Sequence, residues 1–250
     1  MGYVHIERRG DGLPVLFVHG SVTGGAATWS AQYSLASRWT LLILDRRGFG
    51  ESGPTDREDF EVDADDIVDA LGEGVHLVAH SYGGLGALLA AAMRPQAVRS
   101  LTLVEPVAYS VALDQPAVRS AVDELASYFA AVPADTRAFL AGFLRLVGAA
   151  GKLPDPLPPA LDAATKILIR CRLPWTAEIP LDALARAPFR SLIVSGGHSP
   201  VFEGICDVLR DRLGAERSVI PGAGHAIPRV GAAFNERLES FLGTVEAGSV

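Results

Sequence analysis

Short runs of branched, apolar residues alternate along this chain with segments of helical character, and this alternation restricts the folds open to it. Six such runs cover residues 15–20, 41–45, 75–80, 100–105, 191–196 and 217–222. They show little polar alternation, which is typical of strands buried on both faces of a sheet. Helical segments are predicted near 28–37, 61–71, 82–93, 201–213 and 229–243. The pattern predicts an α/β fold with a mostly parallel, doubly wound sheet, to which residues 3–9 add an antiparallel edge strand.

The interval from 106 to 187 departs from this alternation. It contains helix-compatible stretches and a proline-rich hinge, KLPDPLPPALD, but no strong strand. Because loops of this length are uncommon inside a compact domain, we expect a helical cap over one end of the sheet. The ligand site of an open α/β sheet lies outside the carboxyl ends of its strands, where such a cap would sit. We therefore expect residues 1–105 and 188–250 to form the core and residues 106–187 to form the cap.

Composition and charge exclude several classes of function. The net charge of −7, with acids and bases interspersed, argues against nucleic acid, which requires a basic face. No apolar run reaches the roughly 18 residues of a membrane span, and the N-terminus lacks the apolar core of a signal peptide, so we expect a cytoplasmic protein. Cys171 and Cys206 are expected to be reduced core residues, and no motif suggests a metal site. The acidic run over 56–66 is predicted to be a solvated loop and helix start.

The strongest local motif is VHLVAHSYGGLGALLAAAM, residues 75–93. A buried strand leads through a very short turn into a helix of small residues. A nucleophile elbow makes this turn so tightly that the residues two before and two after its serine must be small, as Ala79 and Gly83 are. Ser81 is therefore the candidate nucleophile. The alternative interpretation is a serine that only caps a helix.

Four motifs in this order resemble those of the α/β-hydrolase superfamily. FVHGSVTGG (17–25) looks like its oxyanion loop, DRRGFGES (45–52) like its Asp-x-Arg-Gly-x-Gly-x-Ser loop, AHSYGG (79–84) like its elbow and PGAGHAIP (221–228) like the loop of its catalytic histidine. The resemblance covers nearly the whole chain. It implies the α/β-hydrolase fold, with a helical cap inserted after the sixth strand. Within the second motif it gives Asp45 a role in shaping the loop.

The resemblance also suggests how Ser81 would be activated. A serine hydroxyl is a poor nucleophile until a base within hydrogen-bond reach removes its proton, and His225 is the candidate base. The backbone N–H groups of Tyr82 and Ser21 are implied as the oxyanion hole. His19 is expected to hold the oxyanion loop in shape.

The acid of the expected triad is missing from its usual place. In most of the family it follows the strand that corresponds to 191–196, but residues 195–200, SGGHSP, contain no carboxylate, and Ser199 stands about where the acid is expected. Glu105 ends the preceding predicted strand, which in the family lies between the nucleophile strand and the usual acid strand. We expect Glu105 to be the acid. The alternatives are that Glu105 is structural, or that a Ser–His dyad is completed by Ser199 or water.

These residues predict a serine hydrolase that forms an acyl-enzyme on a small to medium apolar ester or lactone. Epoxide hydrolases and haloalkane dehalogenases resemble the chain but attack with an aspartate at the elbow. No metal or organic cofactor is needed, and the expected partner is a small-molecule acyl substrate. A carbon–carbon bond hydrolase, a thioesterase, a lyase on the same scaffold and a ligand-binding receptor with a degenerate triad remain alternatives. The sequence does not indicate the oligomeric state.

Overall fold

The computed structural model describes residues 3–149 and 151–248, and its core is a seven-stranded sheet of order β1-β3-β2-β4-β5-β6-β7. Within the described part of the chain, the only antiparallel strand pair joins β1 to β3. The strands are β1 His5–Arg9, β2 Leu13–Val18, β3 Trp39–Asp45, β4 Val75–His80, β5 Val98–Val104, β6 Arg190–Ser195 and β7 Glu216–Val219. The predicted fold class is therefore confirmed.

Helices pack on both faces of this sheet. They are α1 Gly25–Trp29, α2 Phe60–Ala70, α3 Gly83–Met93, α4 Pro116–Ala130, α5 Thr136–Leu146, α6 Pro159–Ile169, α7 Leu181–Ala185, α8 Pro200–Leu213 and α9 Ala232–Ala247. Short 3₁₀ helices cover Ser30–Ser37, Pro95–Ala97, Tyr109–Ala112, Pro174–Thr176 and Ile227–Val230. Within the described residues, no helix is both long and apolar enough to cross a membrane.

The predicted helix over 28–37 is instead the end of α1 followed by a 3₁₀ helix. Tertiary hydrogen bonds involve the side chain of Gln32 and the backbone of this segment. The Asn235 side-chain amide of α9 donates to the carbonyl of Ala31 at 2.7 Å, and Gln32 donates to the carbonyl of Pro228 at 2.9 Å. Contacts with a distant helix therefore shape this segment, and local sequence does not reveal them.

The strand order places a crevice at the carboxyl edge of the sheet. From β2 the chain moves to β3 on one side, and β4 returns to the other side of β2. The loops that follow β2 and β4 therefore diverge, and such switch points are where α/β sheets bind ligands. The motifs at 17–25 and 79–84 lie on these two loops. The fold thus brings the two motifs to the same crevice.

The segment between β5 and β6 contains α4, α5, α6 and α7 and, in the described residues, no strand. It follows the fifth strand in chain order rather than the expected sixth, because the described chain has only one antiparallel edge strand before the parallel ones. Its later part is tied to the core by Arg172, which donates its N–H to the carbonyl of Glu58 and pairs with Asp59 at 3.0 Å.

Candidate active site

Ser81 lies in the sharp turn between β4 and α3. Its φ is +54°, a left-handed conformation that is unfavourable for a residue with a side chain and that is stored at functional turns. The turn packs so closely on the loop after β2 that a Cβ on Gly83 would lie 2.3 Å from the carbonyl oxygen of His19. The small residue predicted at this position is therefore required by the fold, and the Ser81 side chain points into the crevice cavity.

His225 lies in the loop between β7 and the 3₁₀ helix Ile227–Val230. Its Nε2 is 2.9 Å from Oγ of Ser81, and its Nδ1 is 2.7 Å from Oε2 of Glu105. The carboxylate is an acceptor, so Nδ1 carries the proton and Nε2 is free to accept the serine hydroxyl. His80 donates Nε2–H to the carbonyl of His225 at 2.9 Å and so fixes the loop. Sequence analysis gave His80 no such role.

Glu105 follows β5 directly and is fully buried. Its φ of +40° makes it, with Ser81 and Val22, one of three non-glycine residues of positive φ in the described chain. Its N–H continues the sheet by donating to the carbonyl of Val194 at 2.9 Å, while Oε1 accepts the N–H of Gly196 at 2.6 Å. The structure thus brings Ser81, His225 and Glu105 into one chain of hydrogen bonds.

Burial sets the ionisation of this chain of groups. It lowers the pKa of the His225 imidazole, because the charged form loses its hydration, so the resting ring is neutral. Burial also raises the pKa of the Glu105 carboxyl, and the Gly196 N–H and the nearby His198 oppose that rise. An ionised carboxylate in this position favours positive charge on His225.

The loop after β6 contains no carboxylate that contacts His225, although the acid of the triad usually lies in this loop in the family that the chain resembles. Ser199 immediately precedes α8, and no hydrogen bond links its side chain to that helix. Glu203, one turn into α8, accepts the N–H of Gly197 at 3.1 Å and pairs with Arg217 at 2.6 Å. Its charge is thereby compensated by Arg217, and no hydrogen bond or ion pair in the described chain joins it to His225. The nearest carboxylate to the His225 ring is that of Glu105.

Hydrogen bonds from His19 and Arg46 fix the predicted oxyanion loop. His19 donates Nδ1–H to the carbonyl of Gly20 at 2.7 Å, which confirms that it shapes this loop, and Arg46 Nη1 donates to the same carbonyl at 3.1 Å. Because a trans peptide sets its C=O and N–H on opposite sides, this anchoring turns the N–H of Ser21 away from Arg46. In the described chain the N–H groups of Ser21 and Tyr82 have no protein acceptor.

Behind this loop lies an ionic cluster that sequence analysis missed. Arg46 is buried and donates to Glu58 at 2.6 Å and to Asp63 at 3.0 Å. Burial raises the pKa of both carboxyls, and the charge of Arg46 opposes that rise. Glu58 also accepts the hydroxyl of Ser21 at 2.8 Å. The acidic run 56–66 does contain the predicted charged start of a helix, α2, but the predicted solvation is wrong for Glu58 and Asp63, because Arg46 draws their carboxylates into the interior.

Asp45 shapes the loop after β3, as the resemblance implied. Its carboxylate accepts the N–H of Gly25 at 2.8 Å and that of Glu51 at 3.1 Å, while its carbonyl accepts the hydroxyl of Ser52. These bonds join the start of α1 to the DRRGFGES motif. Asp45 is thus engaged with backbone and not with His225.

A cavity of about 490 Å³ opens over Ser81 and His225. Its far wall comes from residues between β5 and β6 and is mostly apolar; its main side chains are Leu125, Phe129, Leu140, Phe143, Leu144 and Trp175. Among the described residues that line the cavity, Arg229 is the one with a permanently charged side chain. The described residues contain no cluster of three or more side chains suited to a metal ion.

Comparison with known proteins agrees with this architecture. Residues 14–231 match the family model described as the alpha/beta hydrolase fold. Lipase LipV of Mycobacterium tuberculosis is 30% identical over 254 residues, covering 90% of this chain and 92% of the lipase. Other curated relatives match over a shorter stretch. The serine hydrolase BPHL of Mus musculus is 34% identical over 118 residues, and the chain spans 40% of its length.

Solved structures show the same fold at lower identity. A thermophilic esterase from Thermogutta terrifontis superposes with a TM-score of 0.75 at 22% identity, covering 97% of this chain and 93% of the esterase. An enzyme described as degrading N-acyl homoserine lactones superposes with a TM-score of 0.68 at 23% identity, covering 95% of this chain and 96% of that one.

Proposed function

This chain belongs to the α/β-hydrolase family, and we propose that within it the protein is a serine hydrolase that cleaves a small to medium apolar ester or lactone through an acyl-enzyme. One observation carries the proposal. The hydrogen bonds from Ser81 through His225 to Glu105 begin at the floor of an apolar cavity. Hydrolysis is the activity named for the lipase, the esterase and the serine hydrolase reported above.

The first half-reaction acylates Ser81. His225 Nε2 takes the hydroxyl proton as Oγ forms a bond to the substrate carbonyl carbon, and Glu105 stabilises the imidazolium that results. The tetrahedral intermediate then collapses, the bond to the leaving oxygen breaks, and His225 returns its proton to that oxygen. The product alcohol departs, or stays tethered if the substrate was a lactone.

The oxyanion of that intermediate needs donors set in place beforehand. We propose the N–H groups of Ser21 and Tyr82 for this role, because both residues line the cavity with Ser81 and neither N–H bonds to an acceptor among the described residues. Anchoring of the Gly20 carbonyl by Arg46 supports the orientation of the first donor. Losing one such donor typically costs on the order of 10²–10³ in rate.

The second half-reaction regenerates the enzyme. A water molecule attacks the acyl carbonyl while His225 accepts its proton, and the collapse of the second intermediate releases the carboxylic acid and returns the proton to Ser81. Each step uses only proton transfer and nucleophilic attack by groups of this chain and by water. The proposal therefore requires no metal or organic cofactor.

The cavity indicates the size and polarity of the substrate. A volume of about 490 Å³ lies in the usual range for small-molecule sites. The aromatic and aliphatic wall favours an apolar acyl or alkoxy group. We further propose that residues 106–187 form the cap that supplies this wall, and that residues 1–105 and 188–250 form the core.

A test compares hydrolysis of p-nitrophenyl esters by wild type, Ser81→Ala and Ser199→Ala. We expect a burst of p-nitrophenol equal to the enzyme concentration in wild type and no burst in Ser81→Ala. Ser199→Ala is the matched control, because Ser199 lies in the neighbouring loop without contacting His225. It should retain the wild-type rate, whereas a large loss would favour the dyad completed by Ser199.

The same measurements separate the alternatives. Turnover of a hydroxynitrile without any burst on esters would favour a lyase, and saturable binding without turnover would favour a receptor. Preference for an acyl carrier thioester, or for a carbon–carbon bond beside a ketone, over every ester would favour the thioesterase or the carbon–carbon bond hydrolase. If wild type hydrolyses esters no faster than Ser81→Ala does, the esterase proposal is wrong.

A further inference from the structure

His198 lies in the loop after β6, where the family usually carries its acid. Its side chain is largely buried, at 19% exposure, yet neither ring nitrogen forms a hydrogen bond in the described chain. Buried polar groups without a partner are uncommon and call for a reason. The identity of its nearest charged neighbour supplies that reason.

The nearest charged neighbour is the Glu105 carboxylate. Nδ1 of His198 is 3.3 Å from Oε1 of Glu105, close enough for an ion pair but without the alignment of a hydrogen bond. Oε1 also accepts the N–H of Gly196, and Oε2 accepts Nδ1–H of His225. Glu105 therefore lies between two imidazoles, one on each carboxylate oxygen.

The ring of His198 is held from two further sides. Phe202 of α8 lies 5.7 Å from it, centre to centre, and stacks on His225 at 4.5 Å. Gly148 also lies against the ring, where an added Cβ would be 2.9 Å from Nε2 of His198. Gly148 also lines the cavity. Packing thus limits how far the ring can turn away from the carboxylate.

We propose that His198 is a positioning residue, whose Nδ1–H faces Oε1 of Glu105 and keeps that carboxylate ionised and directed at His225. The inference rests on the proposed function, in which Glu105 supports the charge that forms on His225. In the proposed arrangement the His198 ring carries a proton on Nδ1, which a neutral ring supplies in its Nδ1-protonated tautomer. His198 would act through Glu105 alone, without touching the substrate or Ser81.

Among the side chains around Glu105, His198 is the one placed against its Oε1, while the Gly196 N–H and the charge of Arg217 also lower the pKa of Glu105. The titratable or charged side chains near it are His198, His225, Glu203, Arg217, Tyr109 and Cys206. Glu203 and Arg217 pair with each other. Burial raises the pKa of the Tyr109 hydroxyl and of the Cys206 thiol, so these two groups stay neutral. Without His198, the pKa of Glu105 would rise, because burial already favours its neutral form.

The test uses three variants that differ in where they place an N–H donor. The amide nitrogen of His198→Asn falls near the place of Nδ1, that of His198→Gln near the place of Nε2, and His198→Phe keeps a ring without a donor. The acid limb of kcat/KM should move to higher pH by about 1 unit in the Phe and Gln variants, since a nearby opposite charge or hydrogen bond shifts a carboxyl pKa by roughly that much. In the Asn variant it should stay near wild type.

A second readout does not depend on turnover. The ¹³C chemical shift of the Glu105 carboxyl carbon, assigned by its absence in Glu105→Gln, should titrate at higher pH in His198→Phe than in wild type and His198→Asn. Equal titration in wild type and the His198→Phe and His198→Asn variants would overturn the proposal, as would a pH-independent loss of activity that His198→Asn does not rescue. If no ester is turned over, the proposed function fails, while the carboxyl titration still decides the role of His198.

Discussion

Glu58 and Glu105 are two buried glutamates beside the same crevice, and they have different partners. Glu58 is paired with a permanent cation, the guanidinium of Arg46, and also accepts the hydroxyl of Ser21. Glu105 contacts a backbone N–H and two histidines, none of which is permanently charged. Burial raises the pKa of both carboxyls, and only Glu58 has an arginine at hydrogen-bond distance to oppose it.

This difference separates a structural carboxylate from one suited to chemistry. A carboxylate already neutralised by arginine gains little from a second cation, so Glu58 is suited to fix the loop that carries Ser21. A carboxylate without a permanent cation has most to gain when a neighbouring group becomes positive. In the proposed mechanism that group is His225, and the gain falls at the step where Ser81 loses its proton.

The largest effect is expected from Glu105→Gln. The amide keeps the volume but removes the charge and favours the wrong tautomer of His225, so kcat should fall by ~10⁴, about 5.5 kcal/mol of barrier. Steady-state ester hydrolysis by the purified variant measures this. Glu203→Gln is the control, since Glu203 bonds Gly197 and Arg217. An equal loss in both variants would place the acid elsewhere.

Next in size is the effect of Arg46→Met on stability. Removing the cation leaves Glu58 and Asp63 buried without it, so the free energy of unfolding should fall by about 3–5 kcal/mol. Arg47→Met is a matched control, because Arg47 keeps 25% of its side chain exposed in its pair with Asp66, whereas Arg46 is fully buried, and it should cost less than Arg46→Met does. Urea unfolding followed by circular dichroism measures both. Equal losses would contradict the structural role assigned to the cluster.

A smaller effect is expected from Glu58→Gln. Arg46 keeps Asp63 as its anion, and the amide oxygen can still accept from Ser21, so the oxyanion loop should shift only slightly. Because complete loss of an oxyanion donor costs on the order of 10²–10³, we expect kcat/KM to fall by about tenfold or less. A fall as deep as that of Glu105→Gln would erase the distinction between the two glutamates.

The effect of pH is the smallest near neutrality, since kcat/KM falls only about twofold at the midpoint of a single titration. Burial raises the pKa of Glu105 to about 7, so the ionised form that supports His225 is lost as the pH falls through that value. We expect kcat/KM to decline by about tenfold per pH unit on the acid side and to level off above it. The profile of Glu58→Gln should keep the same midpoint. If the midpoint of the pH profile shifts in Glu58→Gln, the titrating carboxyl is not that of Glu105.

Much of this arrangement could be predicted from sequence because it follows local rules. The strand–turn–helix around Ser81 has small residues where the turn demands them, while the position of β5 between β4 and β6 was implied by the resemblance to the α/β-hydrolase superfamily. That order is confirmed, and it places Glu105 within reach of His225. The catalytic roles of these residues remain predictions until variants are measured.

What sequence could not reveal depends on distant partners. Glu58 and Asp63 belong to a run that looks solvated, and only the folded chain brings Arg46 against them. His198 likewise has no local signal, since its place against Glu105 depends on Phe202 and on how Gly148 packs above it. The sequence around a run of charges or a single histidine does not indicate which buried group these side chains contact in the folded protein.

The parallel register that sets Val104 beside Val194 has a consequence for how enzymes are found in genomes. Residues that follow neighbouring strands occupy adjacent places in space, although here about 90 positions separate them in the chain. A search that compares aligned positions would find only glycine, histidine and serine after β6 and would discard such a chain as inactive. A search by distance to the histidine ring would retain it, together with any relatives that carry their carboxylate one strand earlier.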